Sequence, residues 1–413
     1  MVAYVIVLTI ARKLSRRRRA ADAEGYRVLL TGTFQSENWA AAHLRPLARA
    51  SRCASITVVS VTPVPDIDKV RVVAPAAWLV RLLGSVPARL VTFAWIALIT
   101  RPHIVGGFHL LLNGLLAALL APLAGARALY FCVGGPAEIL GGGINGENRL
   151  FGRLETPDAQ VERRLLQAVA AFDVVITMGS GAAQFLRDRG IRTALHVHPG
   201  GLESPTTPRN GLPAASDVLF VGRLAPIKRV DLFLEVVARV RAAMPEVRAT
   251  IVGNGVLRGA LEERARELEL GHNVTFVGHQ RDVSPWLAGA RVFVLTSESE
   301  GLSLALLEAM QHGLPAVVPR VGDLGDAVEH GVNGYLVGGR TPEAFASRIA
   351  ELLGDPDRRA QFGAAARQAA ARFEMRAAVS RWDEILGRIV HGVPMVDPLA
   401  VRAEEAMSRA RGR

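Results

Sequence analysis

Two short stretches in the second half of the chain carry side chains able to do chemistry together. After an apolar run ending at Gly222 the chain reads RLAPIKR, which puts Arg223 and Lys228 five positions apart on a loop before a helical pattern. Two cations at the carboxyl end of a buried strand can neutralise a diphosphate, because open α/β sheets bind ligands at that edge. The second stretch, SESEGLSLALLE, carries Glu300 and Glu308 eight positions apart. Gly301 breaks the loop, and Ser303 with Leu304 opens a helix whose unpaired N–H groups and positive dipole end favour a phosphate. Glu308 then lies about 7 to 8 Å from the helix start at about 1.5 Å rise per residue, a depth from which a carboxylate can accept two ribose hydroxyls. In that arrangement Glu300, just before the helix, faces a sugar on the other side of the phosphates. Taken singly, each glutamate reads as well as a solvated helix-end carboxylate, and the basic pair as a solvated loop.

Such side chains need a scaffold, and the apolar runs supply one. In the first half they fall at 26–31 (YRVLLT), 56–62, 103–106, 128–133 and 173–177; in the second at 217–222, 249–253, 274–278, 292–296 and 316–319. Continuous apolar runs separated by helix-length segments, such as 39–50, 230–243 and 257–268, predict parallel sheets covered on both faces. Between the halves, 197–212 (VHPGGLESPTTPRNGL) is rich in Pro, Gly and Thr and reads as a hinge. The organisation expected is a basic segment 1–24, an α/β domain 25–200, a hinge 201–212, a second α/β domain 213–373, a helix 374–392 packing back on the first domain, and a tail 393–413.

A chain of 413 residues, half of them apolar, fits two domains rather than one core. Six charges of the formal +11 come from Arg12, Lys13, Arg16, Arg17, Arg18 and Arg19, which leaves about +5 on the body. No aromatic side chains interleave these arginines as a base-stacking surface needs, so nucleic acid is excluded as a partner. Anionic lipid headgroups, or the phosphates of small substrates, account for a positive surface equally well. The two cysteines, Cys53 and Cys132, exclude a disulfide framework and a cysteine zinc site, show no metal constellation, and agree with a cytoplasmic setting.

Two apolar stretches stay open. Residues 1–10 (MVAYVIVLTI) are too short to span a bilayer and read as a ragged start or as a weak interfacial anchor. Residues 76–100 are strongly apolar but broken by Arg81, Pro87 and Arg89. They read as a helix pair packed on the sheet, or as a surface dipping into a membrane interface with its arginines snorkelling to headgroups.

Together the runs FVGRLAPIKRV, IVGNG, VTFVGH, SESEGLSLALLEAM and HGLPAVV resemble the family 4 retaining glycosyltransferases, over about 218–337 and in the family's order. The resemblance implies the GT-B fold, two Rossmann-like doubly wound domains facing across a cleft. It implies a nucleotide-diphosphate sugar donor, no further cofactor or metal, and transfer to a glycan or lipid-linked acceptor. Arg223 and Lys228 match the diphosphate-binding pair, Glu308 the carboxylate that holds the ribose, and Glu300 the acid that contacts the donor sugar. The loop glycines Gly253 and Gly301, the amides near Ser303 and Leu304, and His279 at the edge of the base complete that donor set.

The first half follows the family less closely. Gly32 stands where the glycine-bearing loop after the first strand belongs, without the usual glycine pair. Where many members carry a histidine, after 128–133, this chain reads Gly134, Gly135, Pro136, Ala137, Glu138. His109 and Glu138 are then the candidates for touching acceptor or sugar, each reading equally as a satisfied structural residue. The Gly-rich 141–149 is a candidate acceptor-side loop or a plain connector. The competing reading of the whole chain is a catalytically degenerate GT-B protein that binds a sugar or lipid.

Overall fold

The computed structural model describes residues 1–18, 22, 24–34, 36–143, 156–205 and 216–391. The expected tail 393–413, residues 206–212 of the expected hinge and 144–149 of the candidate loop lie outside these. The chain divides into two compact units, Met1–Gly201 with Met375–Arg413, and Leu202–Glu374.

The first unit begins with α1 (Val2–Lys13), β1 (Tyr26–Thr31), α2 (Glu37–Arg49), β2 (Cys53–Val59), β3 (Val70–Val73), α3 (Ala77–Leu83) and α4 (Ser85–Thr100). It continues with β4 (Ile104–Phe108), α5 (Leu115–Ala124), β5 (Arg127–Cys132), α6 (Ala159–Val169), β6 (Val174–Thr177), α7 (Ser180–Asp188) and β7 (Ala194–Val197). Its seven strands are parallel, in the order β3-β2-β1-β4-β5-β6-β7. The order reverses between β1 and β4, so the loops after those two strands part to leave a crevice, the switch point of a doubly wound sheet.

Two open stretches resolve here. Residues 2–10 belong to α1, whose Leu8 packs in the same core as Phe93 and Leu120. The run 76–100 divides at Gly84, whose φ of 84° suits glycine, into α3 and α4. Arg89 on α4 does not snorkel outward: it is 2% exposed, and its Nη1 donates to Thr31 Oγ1 (2.7 Å) and Asn113 Oδ1 (2.8 Å).

The second unit comprises β8 (Ser216–Val221), α8 (Val230–Ala243), β9 (Ala249–Val252), α9 (Arg258–Glu267), β10 (Val274–Gly278), α10 (Ser284–Ala288) and β11 (Ala290–Val294). Then come α11 (Leu304–Gln311), β12 (Ala316–Pro319), β13 (Gly334–Val337), α12 (Pro342–Gly354) and α13 (Pro356–Ala370). Six parallel strands lie in the order β10-β9-β8-β11-β12-β13, with the reversal between β8 and β11. The last helix, α14 (Met375–His391), returns to the first unit, where Trp382 is buried with Leu47 of α2 and Ser51 Oγ donates to Asp383 (2.8 Å).

Candidate functional site

Because β8 and β11 are neighbours, the loops that follow them run side by side. Glu298 N donates to Ile227 O (2.8 Å), and Thr296 Oγ1 donates to Arg229 O (2.8 Å). Pro226, with its fixed φ, starts a single tight turn Pro226–Lys228, and Arg229 leaves it at φ 46° before α8 begins. That turn carries Lys228 across to the β11 loop. Its Nζ lies 2.6 Å from Glu300 Oε1, the same oxygen that accepts from Ser297 Oγ at 2.6 Å. With side chains 17% and 8% exposed, this is a largely buried ion pair. The next loop closes on the same residue: a Cβ on Gly322 (φ 53°), after β12, would lie 1.6 Å from Glu300 O, so only glycine lets the β11 and β12 loops meet.

The β9 and β10 loops are drawn in the same way. Gly253 N donates to Gly278 O (2.8 Å), and a Cβ on Gly253 would stand 1.8 Å from Gly222 O. Gly253 is thus a packing glycine where two loops cross. Arg223 and His279 are exposed beside it. Ser303 caps α11, its Oγ accepting from Leu306 N (3.4 Å), which leaves Gly301 on the entering loop and Leu304 as first residue of the helix. Glu308 stands on the second turn. Burial pushes its carboxyl up to about 7, and the negative charge of Asp282 adds to the effect. A carboxyl in that position takes hydrogen-bond donors readily, since each one supplies what the lost water did.

In the first unit, Gly32, His109, Gly134, Gly135 and Glu138 gather at the carboxyl ends of β1, β4 and β5. A Cβ on Gly32 would meet Phe108 Cβ at 2.9 Å. Glu138 is buried and receives four contacts: Gly134 N (2.6 Å) and His109 Nδ1 (3.2 Å) on Oε1, Leu110 N (2.5 Å) and Tyr130 Oη (2.9 Å) on Oε2. Burial alone raises a carboxyl, but His109 and the two N–H groups outweigh it and hold Glu138 below the ordinary value. So saturated, Glu138 is a clamp between two loops rather than a proton carrier. His109 sits at φ 65°, a region costly for a side-chain-bearing residue, and is held there by Glu138 and by its own N–H to Phe131 O (3.1 Å). Gly135, at φ 60°, turns the chain between them.

Lys228 and Glu300 come together in contact, while Arg223, Gly253, His279, Ser303 and Glu308 are set on the neighbouring loops and helix at the same sheet edge. Sequence reasoning missed Ser297, Asp282, Tyr130, Asn113 and the buried role of Arg89. Ser297 stood inside the quoted SESEG run, where its spacing of three from Glu300 was the available signal.

Residues 215–355 match the family model described as Glycosyl transferases group 1. The chain is 37% identical over 203 residues to a D-inositol 3-phosphate glycosyltransferase from Thermobispora bispora, covering 45% of this chain and 47% of that one. It is 33% identical over 177 residues to the sulfoquinovosyl transferase SQD2 of Arabidopsis thaliana, covering 42% of this chain and 33% of that one. The chain thus spans about half the length, or less, of these curated relatives. Among solved structures, sucrose-phosphate synthase from Thermosynechococcus elongatus is similar with a TM-score of 0.71 at 19% identity, over 89% of this chain and 100% of that one. Anabaena Alr3699/HepE in complex with UDP-glucose is similar with a TM-score of 0.67 at 19% identity, over 88% and 99% of the two chains. These likenesses show the fold, the two-domain Rossmann-like GT-B fold. The family match falls on the region that carried the resemblance in the sequence.

Proposed function

We propose that this chain is a retaining glycosyltransferase that moves a sugar from a nucleotide-diphosphate donor to a glycan or lipid-linked acceptor. The observation that carries the reading is the Lys228–Glu300 ion pair with Ser297, at the β8/β11 switch point of the unit that matches the glycosyl transferase family. The diphosphate lies against Lys228, Arg223 and the N–H groups that open α11, and Glu308 accepts the ribose hydroxyls. Glu300 keeps one oxygen on Lys228 and Ser297 and turns the other toward the sugar.

In the transfer step the bond from the anomeric carbon to the diphosphate oxygen breaks. The acceptor oxygen bonds to that carbon on the same face, and its proton passes to the departing phosphate oxygen. No protein base is needed for this, in keeping with a Glu138 already saturated by donors. Negative charge growing on the leaving diphosphate is met by two cations and a helix end fixed before the reaction begins, the arrangement that lowers a barrier most. The relative named for D-inositol 3-phosphate favours a small polar acceptor, and His109 at the first unit's switch point is the side chain proposed to meet it.

The test is incubation with UDP-, GDP- and ADP-sugars, with and without candidate acceptors, followed by NMR. Release of nucleotide diphosphate with an α-linked product from an α-linked donor supports the reading. Nucleotide binding with neither transfer nor slow donor hydrolysis supports the degenerate binding protein instead.

A further inference from the structure

Three helices lie side by side on one side of the first unit's sheet and share one core. Tyr4 Oη of α1 donates to Leu115 O at the head of α5 (2.8 Å), and Arg16 N, just past α1, donates to Pro122 O near its end (3.0 Å). On the other flank, Arg89 of α4 reaches Asn113 before α5, and Arg101 Nε, closing α4, donates to Ala124 O at its end (3.3 Å). The helices therefore run in the same direction, with α5 in the middle and α3 against α4.

Their outward sides are apolar to an extent that water does not favour. Ile6 and Ile10 on α1, Trp78 and Leu82 on α3, and Trp95 and Ile99 on α4 are all more than half exposed or close to it, with Trp78 at 66% and Trp95 at 68%. On α4 the spacing 91, 95, 98, 99 repeats on one face, so these are not scattered surface residues. Neither α1, α3, α4 nor α5 contains an Asp or Glu, and the sequence has none from Lys69 to Ala137. Positive charge collects where the three helices end: Arg17 O, Arg16 Cβ and Arg101 Nη2 all lie within 3.5 Å of a Cβ position on Gly125, with Lys13 just before them.

We propose that this face of α1, α3 and α4 docks on the interface of an anionic bilayer, the apolar side chains entering the acyl boundary and the basic end meeting phosphate headgroups. Charge complementarity selects the occupant. A second copy of this face would set one acid-free, basic-ended surface against another, with nothing to neutralise it. Tryptophan ring and N–H suit the headgroup level, where one side is apolar and the other wet. No helix of the described residues is long and apolar enough to cross a membrane, which makes the contact lateral. The proposal does not depend on the reading of the second unit, though a surface-bound enzyme is well placed for a lipid-linked acceptor.

The test uses the full chain with vesicles of phosphatidylcholine alone and of phosphatidylcholine with phosphatidylglycerol, read by co-sedimentation and tryptophan emission. The proposal expects binding to the anionic vesicles about tenfold or more stronger than to neutral ones, weakening with salt, and a blue shift of emission. The double variant Trp78→Gln/Trp95→Gln should lose most of the binding and the shift while melting at the same temperature. Lys13→Gln/Arg16→Gln/Arg17→Gln should lose the preference for anionic lipid. Absence of binding to both vesicles, equal binding to both, or undiminished binding by the tryptophan double variant overturns the proposal. So does a concentration-dependent dimer that the same variant abolishes, since the face then belongs to a protein contact.

Discussion

Lys228 Nζ lies 2.6 Å from Glu300 Oε1, although 72 positions separate the two residues in the chain. The contact exists because β8 and β11 are adjacent and parallel, which sets their following loops against each other. It also means that the site holds its cation and its acid as a pair. On the proposed function, a diphosphate entering there shares an ammonium already positioned, with no side-chain search left to make.

On this account Lys228→Ala lowers kcat by about 10²–10³-fold, the usual cost of removing one preorganised donor from a developing oxyanion. Glu300→Gln keeps the hydrogen bonds of Ser297 and Lys228 but not the charge, and costs less. Steady-state rates of the two variants against the same donor check this; a Lys228→Ala enzyme with unchanged kinetics contradicts it.

On the proposed function, Glu308 makes nucleotide binding depend on pH. Its carboxyl is raised from 4.5 to about 7, and ribose hydroxyls donate to the ionised form, so binding draws the proton off. Affinity should rise as pH increases from about 6 to 8, approaching tenfold per unit on the acid side. Glu308→Gln should flatten that profile. A wild-type affinity that does not change across this range contradicts the assignment.

Glu138→Gln tests the clamp. The carboxylate accepts from Gly134 N, Leu110 N and Tyr130 Oη, and an amide would turn an NH₂ toward one of those donors. Leaving a buried donor unmatched costs about 1–3 kcal/mol. Denaturant unfolding should show that loss, and an unchanged midpoint would mean the four contacts add nothing to stability.

Two buried histidines set the acid limit. Burial lowers His43 from 6.5 to about 4, and lowers His198 to about 3, where it is wedged with its Nε2 on Ala378 O of α14 (3.0 Å). The unfolded chain binds protons that the folded one refuses, so stability is full above about 6.5 and falls as pH drops from there toward 4 and 3. The slope approaches about 1.4 kcal/mol per pH unit for each histidine. Glu308, raised instead of lowered, acts with the opposite sign, losing its contribution as pH rises from 4.5 to about 7, but it is one group against two. Urea midpoints from pH 7.5 to 4.5 measure the balance; a flat series contradicts it.

Much of the fold was legible because parallel strands buried on both faces read as continuous apolar runs, as 26–31 and 316–319 did. The strands that escaped lack that run. β3 (VRVV) lies at the sheet edge and carries Arg71 on an exposed position, β7 (ALHV) is interrupted by His196, and β13 is four residues beginning with glycine. At the site, residue types and spacing within one loop were readable, which brought out Arg223, Lys228, Glu300 and Glu308. Pairings that depend on strand order were not. Nothing in the linear text says that Lys228 meets Glu300, or that Tyr130 and Leu110 close on Glu138. Arg89 misled for a related reason: an arginine in an apolar helix looks like a surface residue until the partners Thr31 and Asn113, on other elements, are known.

Calorimetric titration of the purified chain with UDP, GDP and ADP tests the central claim most directly. The account predicts that one of them binds, that Lys228→Ala weakens it about tenfold or more as a hydrogen bond to a charged group should, and that Glu308→Gln alters its pH dependence. Binding of none of the three, or equal binding by Lys228→Ala, contradicts it.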